Sequence, residues 1–342
     1  MTDTNALIEQ LTERTQRACQ AWRPGARVTA IEPLTGGTSS LTFTARFEGV
    51  PAADEVVVLK VAPPGLPPVR NRDVLRQGTV MRALAGRGGV LVPEVLFEDA
   101  GAPPEVSPFL AMNLVPGECL EPILVPEPDA ARAAEFRERA FDAAATLAAM
   151  HRLVPAAIGL ADEPVVQVKA EIDRWVRAYE TAPAHLQFNY PAVAEALYAS
   201  IPPAVRPVVN HGDYRLGNTL CQGTRLTAVI DWEIWSVGDP RVDLTWMSFF
   251  CDDAGHPSRA SERPSGMPSS AEMRAAYVAA GGEEFANLDW FDALTCFKEA
   301  ALTALLIKRA EKNSDPEMAA RLVQFTPKLG GLLDLAVVKL GG

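Results

Sequence analysis

No stretch of this 342-residue chain approaches the roughly 20 consecutive apolar residues that a membrane-crossing helix requires. The opening MTDTNALIEQLTERTQ also lacks the basic-then-apolar pattern of a secretory leader. Cysteine is sparse: Cys19, Cys119, Cys221, Cys251 and Cys296 are scattered, odd in number and never spaced as C-x-x-C. That argues against a disulfide framework and a zinc site and fits a reducing compartment, so a cytoplasmic protein is expected. Basic charge is short as well. Lys and Arg number 32 against 43 Asp and Glu, a net charge of -11. Such a surface is built neither for nucleic acid nor for an anionic membrane face. No G-x-S-x-G nucleophile elbow occurs, which removes a hydrolase of that type.

What is present is an ordinary globular composition, 48% hydrophobic and 22% charged, in a chain long enough for one large or two linked domains. Leu7, Ile8, Leu11, Ala18 and Trp22 recur at helical spacing and predict a leading amphipathic helix over 4–22. Strand-like runs follow at 27–34, 40–48 and 55–61, then a helical segment over about 71–85 and two more strands at 92–98 and 108–115. Five strands with one helix between the third and fourth is the order of a kinase N-terminal lobe. Beyond residue 117 the chain turns helical: 129–153, 163–182, 191–200, 270–280, 288–312 and a last helix near 316–338. No internal repeat is visible. The low-complexity run GHPSRASERPSGMPSS, 255–270, reads as an exposed mobile loop.

The most informative stretch is VVNHGDYRLGNTLCQGTRLTAVIDWEIWSVGDPRVDL, 208–244. It sets Asp213, Asn218 and Asp231 in two loops that each follow an apolar run. Asp213 and Asn218 are five residues apart, the spacing of the kinase catalytic loop H-R-D-x-x-x-x-N. Phosphoryl transfer needs a carboxylate facing the acceptor hydroxyl, an oxygen ligand for Mg²⁺ and a second carboxylate bridging metal and phosphates. Asp213, Asn218 and Asp231 fit those three needs. Arg215 is placed to stabilise charge on the transferring group. His211 reads as a strut shaping the loop, and Asp239 and Asp243 as turn and cap groups that brace it. Glu233 could assist the metal or cap the next element.

Upstream, Gly36, Gly37, Thr38 and Ser39 form a glycine turn between two strands, where backbone N–H groups can approach phosphates. Lys60 lies inside the apolar run VVVLKV, and a lysine there needs an anionic partner, which the α- and β-phosphates of ATP would supply. The acidic residue that usually pairs with such a lysine is replaced by Gln77, with Asp73 one turn earlier as the acidic alternative. Met112, Asn113 and Leu114 precede Val-Pro-Gly and occupy the position of a hinge whose backbone would read adenine. His151 reads as a helix terminator, His185 and His256 show no evident partners, and Trp246, Phe249, Trp290 and Phe297 read as core.

In HGDYRLGN, IDWE, GDPRVDL, MNLVPG and LTGGTS followed by VLK, the chain resembles the aminoglycoside phosphotransferase family of small-molecule kinases. The stretch from GMPSSAEMRAAYVAAGG to LLIKR is similar to the subgroup whose kinase-like domain also occurs fused to acyl-CoA dehydrogenases. The resemblance spans about residues 28–325. It implies an α+β bilobal protein-kinase-like fold: a nucleotide lobe over 1–112, a hinge at 113–117 and a helical catalytic and substrate lobe over 118–342. It further implies ATP or another nucleoside triphosphate, Mg²⁺ and a small-molecule hydroxyl acceptor, a metabolic alcohol or hydroxyacyl compound. Asp213 then carries over as the catalytic Asp, Asn218 and Asp231 as metal ligands, and Lys60 as the phosphate-contacting lysine. An aminoglycoside acceptor would call for carboxylates such as Asp252, Asp253, Glu262, Glu283 and Glu284. An acyl acceptor would call for an apolar channel with a basic rim such as Arg259, Arg263, Lys308 and Arg309. A nucleotide-binding pseudokinase is the alternative that Gln77 motivates. Oligomeric state is not legible.

Overall fold

The leading helix α1, Thr4–Trp22, forms where the apolar spacing predicts it and lays Leu7, Leu11 and Cys19 on a sheet. The structure, a computed structural model, describes residues 4–34, 40–312 and 325–341. The sheet has five strands, β1 Arg27–Pro33, β2 Leu41–Glu48, β3 Val56–Val61, β4 Val95–Asp99 and β5 Phe109–Asn113, in the order β1-β2-β3-β5-β4 with every neighbour antiparallel. Phe43 and Phe47 of β2 meet Phe97 and Phe109 beneath α1, and Trp22 packs edge-on against Phe47 at 5.7 Å. Arg14 of α1 ties the two layers by bonding Asp99 and the Ser107 carbonyl. In β3 the period of two sends Val57, Leu59 and Val61 into this core. Lys60 therefore leaves by the opposite face, which is the face turned to the rest of the chain.

That opposite face is covered by α2, Val74–Leu84, whose first turn is capped by the Asp73 carboxylate accepting the Arg76 N–H at 3.0 Å. From α2 and β5 a single apolar core runs on through Leu147 of α3, Ala133–Arg152, to Trp232 and Trp235. The alanines of α3 let it lie close against strands and against α7, Ser270–Ala279. A second core joins α4 Val168–Glu180, α5 Tyr190–Ala199, α8 Leu288–Lys312 and α9 Thr326–Leu340 around Phe291, Phe297 and Ile307.

Between these cores lie the elements that carry the motif region. Strands β6 Val165–Val166, β10 Ser236–Gly238 and β7 Val208–Asn210 form one small sheet, and β8 Thr219–Gln222 with β9 Arg225–Val229 form a hairpin. Strand β6 corrects the helix expected over 163–182, which begins only at Val168, and β10 was not anticipated; both are too short to show a period. Helix α6, Arg241–Phe249, has Pro240 at its N-cap position, with Asp239 before it accepting the Arg241 N–H at 3.0 Å and Asp243 inside the first turn rather than at the cap. The run 255–270 corrects the exposed-loop expectation: His256, Ser265 and Met267 are buried. Its backbone is tied down by Ala260 N–H to the Ile123 carbonyl and Ser265 N–H to Asp252.

Candidate active site

The loop after β7 is shaped from behind by a buried carboxylate. Asp243, fully buried at the start of α6, accepts the N–H groups of His211 at 2.5 Å and Gly212 at 2.8 Å. Burial pushes its pKa up, yet His151 at 3.9 Å, His211 and the Gly212 N–H outweigh this and hold it below the usual value. Gly212 has φ +86°, and a Cβ there would sit 2.7 Å from the Ile234 carbonyl oxygen, so the turn demands glycine. The buried His211 ring spans the two loops: Nδ1 accepts the Asp213 N–H at 3.2 Å and Nε2 donates to the Ile230 carbonyl at 2.8 Å. Both ring nitrogens are engaged, so His211 is a strut.

Asp213 and Asn218 then face one another across the loop. The Asn218 amide nitrogen donates to the Asp213 carbonyl at 2.8 Å and to Asp213 Oδ2 at 2.7 Å, which turns the amide oxygen away from Asp213. The Asn218 carbonyl in turn accepts the Ile230 N–H at 2.9 Å, joining this loop to the residue before Asp231. Asp231 takes a left-handed backbone, φ +66°, at the end of β9. Its Oδ1 pairs with Lys60 Nζ at 2.6 Å, across from the five-stranded sheet. Burial raises the Asp231 pKa, but the Lys60 ammonium more than offsets it and the carboxyl titrates below its ordinary range. The Asp231 side chain is 40% exposed against 11% for Lys60, so the carboxylate keeps an open side.

Thus Lys60, Asp213, Asn218 and Asp231 come together at one point. Arg215 joins them: its Nε lies 3.3 Å from Asp213 Oδ1 and its Nη1 3.5 Å from Glu121, with Phe250 beneath the guanidinium at 5.3 Å. Gln77 does not hold Lys60. It is buried in α2, and its amide nitrogen has no hydrogen-bond partner among the described residues. Asp73 is committed to capping α2. Both sequence alternatives for the lysine's partner therefore give way to Asp231, because period-two geometry points Lys60 at the β9–β10 loop. Met112 and Asn113 are the last residues of β5, and Leu114 follows it. There the Asn113 N–H donates to the Glu94 carbonyl at 3.0 Å and the Asn113 side chain accepts the Glu94 N–H. Gly36, Gly37, Thr38 and Ser39 lie outside the described residues.

Several groups at this point were not anticipated. Trp246, read as core, donates its indole N–H to Asp213 Oδ1 at 2.7 Å. Lys298 of α8 donates to the Gly212 carbonyl. Glu121 accepts the Gly217 N–H at 2.9 Å while its other oxygen has no partner among the described residues. Burial raises the pKa of Glu121, Glu233 and Glu299 to about 7 each, for Glu121 against the pull of Arg215. Burial likewise lowers Lys298 to about 8. His256, thought to lack partners, packs at a tilt against Phe249 and Phe250 and lies 4.0 Å from Glu299. Apart from Glu233, singled out by its place two residues after Asp231, none of these shows in a linear pattern, since each reaches the loop from a distant helix or loop.

A metal would find few ligands here. Among the described residues no group of three or more His, Cys, Asp or Glu side chains is arranged to hold an ion. One amide oxygen and one carboxylate are nevertheless the donor set that suits Mg²⁺, which keeps several waters and uses phosphate oxygens.

Comparison with known proteins agrees with this geometry. The phosphotransferase enzyme family, APH, matches residues 30–294. Acyl-CoA dehydrogenase family member 11 of Gallus gallus is 27% identical over 323 residues, covering 87% of this chain and 40% of that protein. The same protein of Pongo abelii is 26% identical over 295 residues, 81% of this chain and 37% of that protein. The chain thus spans about two fifths of these curated relatives. Among solved structures, a candidate aminoglycoside phosphotransferase of Ralstonia eutropha superposes with a TM-score of 0.74 at 22% identity, covering 99% of this chain and 98% of that one. The GDP complex of aminoglycoside 2'-phosphotransferase-IIIa gives 0.60 at 15% identity, covering 94% and 98%. The fold is accordingly the bilobal protein-kinase-like one.

Proposed function

We propose a function for the chain as what it is, a member of the phosphotransferase enzyme family: it moves the γ-phosphate of ATP, or of another nucleoside triphosphate, to a hydroxyl of a small molecule. The observation that carries this reading is the meeting of Asp213, Asn218, Asp231 and Lys60 at one point, braced by His211 and Asp243. Asp213 orients the acceptor hydroxyl and takes its proton as the oxygen attacks phosphorus. Lys60 exchanges its Asp231 partner for phosphate oxygens when nucleotide enters. Asn218 and Asp231 would hold Mg²⁺, which when bound neutralises charge on the phosphates. Arg215, beside Asp213, stabilises charge on the transferring group. The nucleotide lobe is 1–112, the hinge 113–117 and the catalytic lobe 118–342. Gly36, Gly37, Thr38 and Ser39, which lie outside the described residues, are assigned to phosphate binding from the sequence. Adenine is read by the backbone of the segment Met112, Asn113 and Leu114, of which Leu114 lies beyond the end of β5 while the Asn113 N–H is bonded to Glu94.

For the acceptor we favour a metabolic alcohol or hydroxyacyl compound over a polycationic sugar. The carboxylates an aminoglycoside would need do not converge: Asp252 holds Arg259 and the Ser265 N–H, Asp253 holds Ser270 at the start of α7, and Glu283 lines a separate cavity with His151 and Arg206. The curated relatives that match are named for acyl-CoA dehydrogenases, which accords with an acyl-linked acceptor.

A thermal-shift screen tests the reading. A nonhydrolysable ATP analogue with Mg²⁺ at about a hundred times its Kd should stabilise the fold by about 2.7 kcal/mol, a rise of several degrees. Asp231→Ala should lose the part of that rise that depends on the metal. A further rise with hydroxyacyl compounds, and none with aminoglycosides, identifies the acceptor class. A metal-independent shift, equal in wild type and Asp231→Ala, would contradict the assignment of Asp231.

A further inference from the structure

The carboxylate of Asp213 is held from a direction the catalytic loop does not supply. Oδ2 accepts Asn218 at 2.7 Å, and Oδ1 accepts both the Trp246 indole N–H at 2.7 Å and Arg215 Nε at 3.3 Å. A carboxylate has about four lone-pair sites, so three donors leave about one for an incoming hydroxyl. Trp246 sits on α6, and its indole is in turn covered by Lys298 of α8, with Nζ 3.6 Å from the ring centroid. The same Nζ donates to the carbonyl of Gly212 at 2.5 Å, one residue before Asp213. Lys298 is 4% exposed, and among the described residues no carboxylate forms an ion pair with it.

A buried ammonium without an ion pair is costly, and a methionine or leucine in the middle of α8 would be more stable there. The cost is carried beside the reacting carboxylate, whose charge is the largest influence favouring the lysine's protonated form. The cation over the indole face is attractive in its own right and fixes the ring's tilt. We infer that Lys298 and Trp246 are a positioning pair for phosphoryl transfer: Lys298 clamps the Gly212 peptide and the indole together, so that the indole N–H fixes Asp213 with a single acceptance site facing the hydroxyl. This rests on the phosphotransferase reading. Neither residue touches the reactants, so both act through Asp213.

The test uses the full chain and compares wild type, Lys298→Met, Trp246→Phe and the double variant. Trp246→Phe keeps the ring face and removes the N–H, and Lys298→Met keeps length and removes the charge. With ATP, Mg²⁺ and an accepted alcohol, each single variant should lower kcat about ten- to a hundredfold, the scale of a misplaced catalytic group. The KM for nucleotide should stay within about twofold, since positioning acts on the transfer step alone. Lys298→Met should melt at or above the wild-type temperature, an outcome that a purely structural lysine cannot give. The double variant should be no slower than the worse single one. Unchanged kcat in both single variants of an active enzyme, multiplicative losses in the double variant, or losses that simply follow a fall in melting temperature would overturn the pair. A wild type that releases no ADP with any acceptor overturns the phosphotransferase reading itself, and the positioning role with it.

Discussion

At the scale of single residues, the site divides into groups whose roles follow from local spacing and groups that only the fold brings in. Asp213 and Asn218 were legible because they share one loop, and a five-residue separation lets the amide fold back on the carboxylate. Lys60 was legible because alternation in a buried strand leaves it facing out of the core. The partner of Lys60 was not, since Asp231 lies 171 residues further along the chain and meets it only across the lobes. Gln77 gives a direct check of the residue-scale picture. Its buried amide nitrogen lacks a partner among the described residues, and burying an unbonded amide costs about 1–3 kcal/mol. Gln77→Met, of similar volume, should raise the denaturation midpoint of the nucleotide-free protein by an amount equivalent to about 1 kcal/mol. A lower midpoint would mean that the amide has a stabilising contact after all.

At the scale of elements, the catalytic loop is positioned by the start of α6. Two backbone N–H groups, of His211 and Gly212, point into the Asp243 carboxylate. The sequence reading of Asp243 as a brace holds, although it sits inside the first turn of α6 and Pro240 takes the N-cap position. The carboxyl of Asp243 titrates below its ordinary 3.8, so it contributes stability that is present above pH 3.8 and is lost as pH falls through the folded value. Asp243→Asn should therefore be less stable at pH 7, on the order of 3 kcal/mol. Its melting temperature should also depend less on pH than the wild type's on the acid side of 3.8. Parallel pH profiles of the two proteins would remove the charge of Asp243 from the loop's support. The short strands β6 and β10, by contrast, have no sequence signature. Strands of two and three residues have no measurable period, and their pairing is set by what packs around them.

At the scale of the whole molecule, the core that runs from α2 through α3 to Trp232 and Trp235 joins the sheet-bearing part to the helical part. That continuity places the Lys60 strand opposite the Asp231 loop. The order of elements was readable from sequence because five strands and a long helical remainder have distinct periods. The surroundings of the acceptor site were not readable. Arg215 was legible from its place two residues after Asp213, but Glu121, Trp246, His256, Lys298 and Glu299 come from four separate stretches, and only tertiary packing gathers them around this loop. Glu121 and Glu299, both buried and raised to about 7, set this site apart from an open acidic groove.

The most direct test is ADP release on mixing ATP and Mg²⁺ with pools of hydroxylated metabolites, run side by side on wild type and Asp213→Ala, with nucleotide affinity measured on both. Wild type should release ADP in at least one pool, and Asp213→Ala should lose this by a thousandfold or thereabouts while binding nucleotide as wild type does, the loss of a base and orienting group together. Equal ADP release from the two proteins, with a phosphorylated alcohol formed by both, would show that the carboxylate of Asp213 takes no part in the transfer.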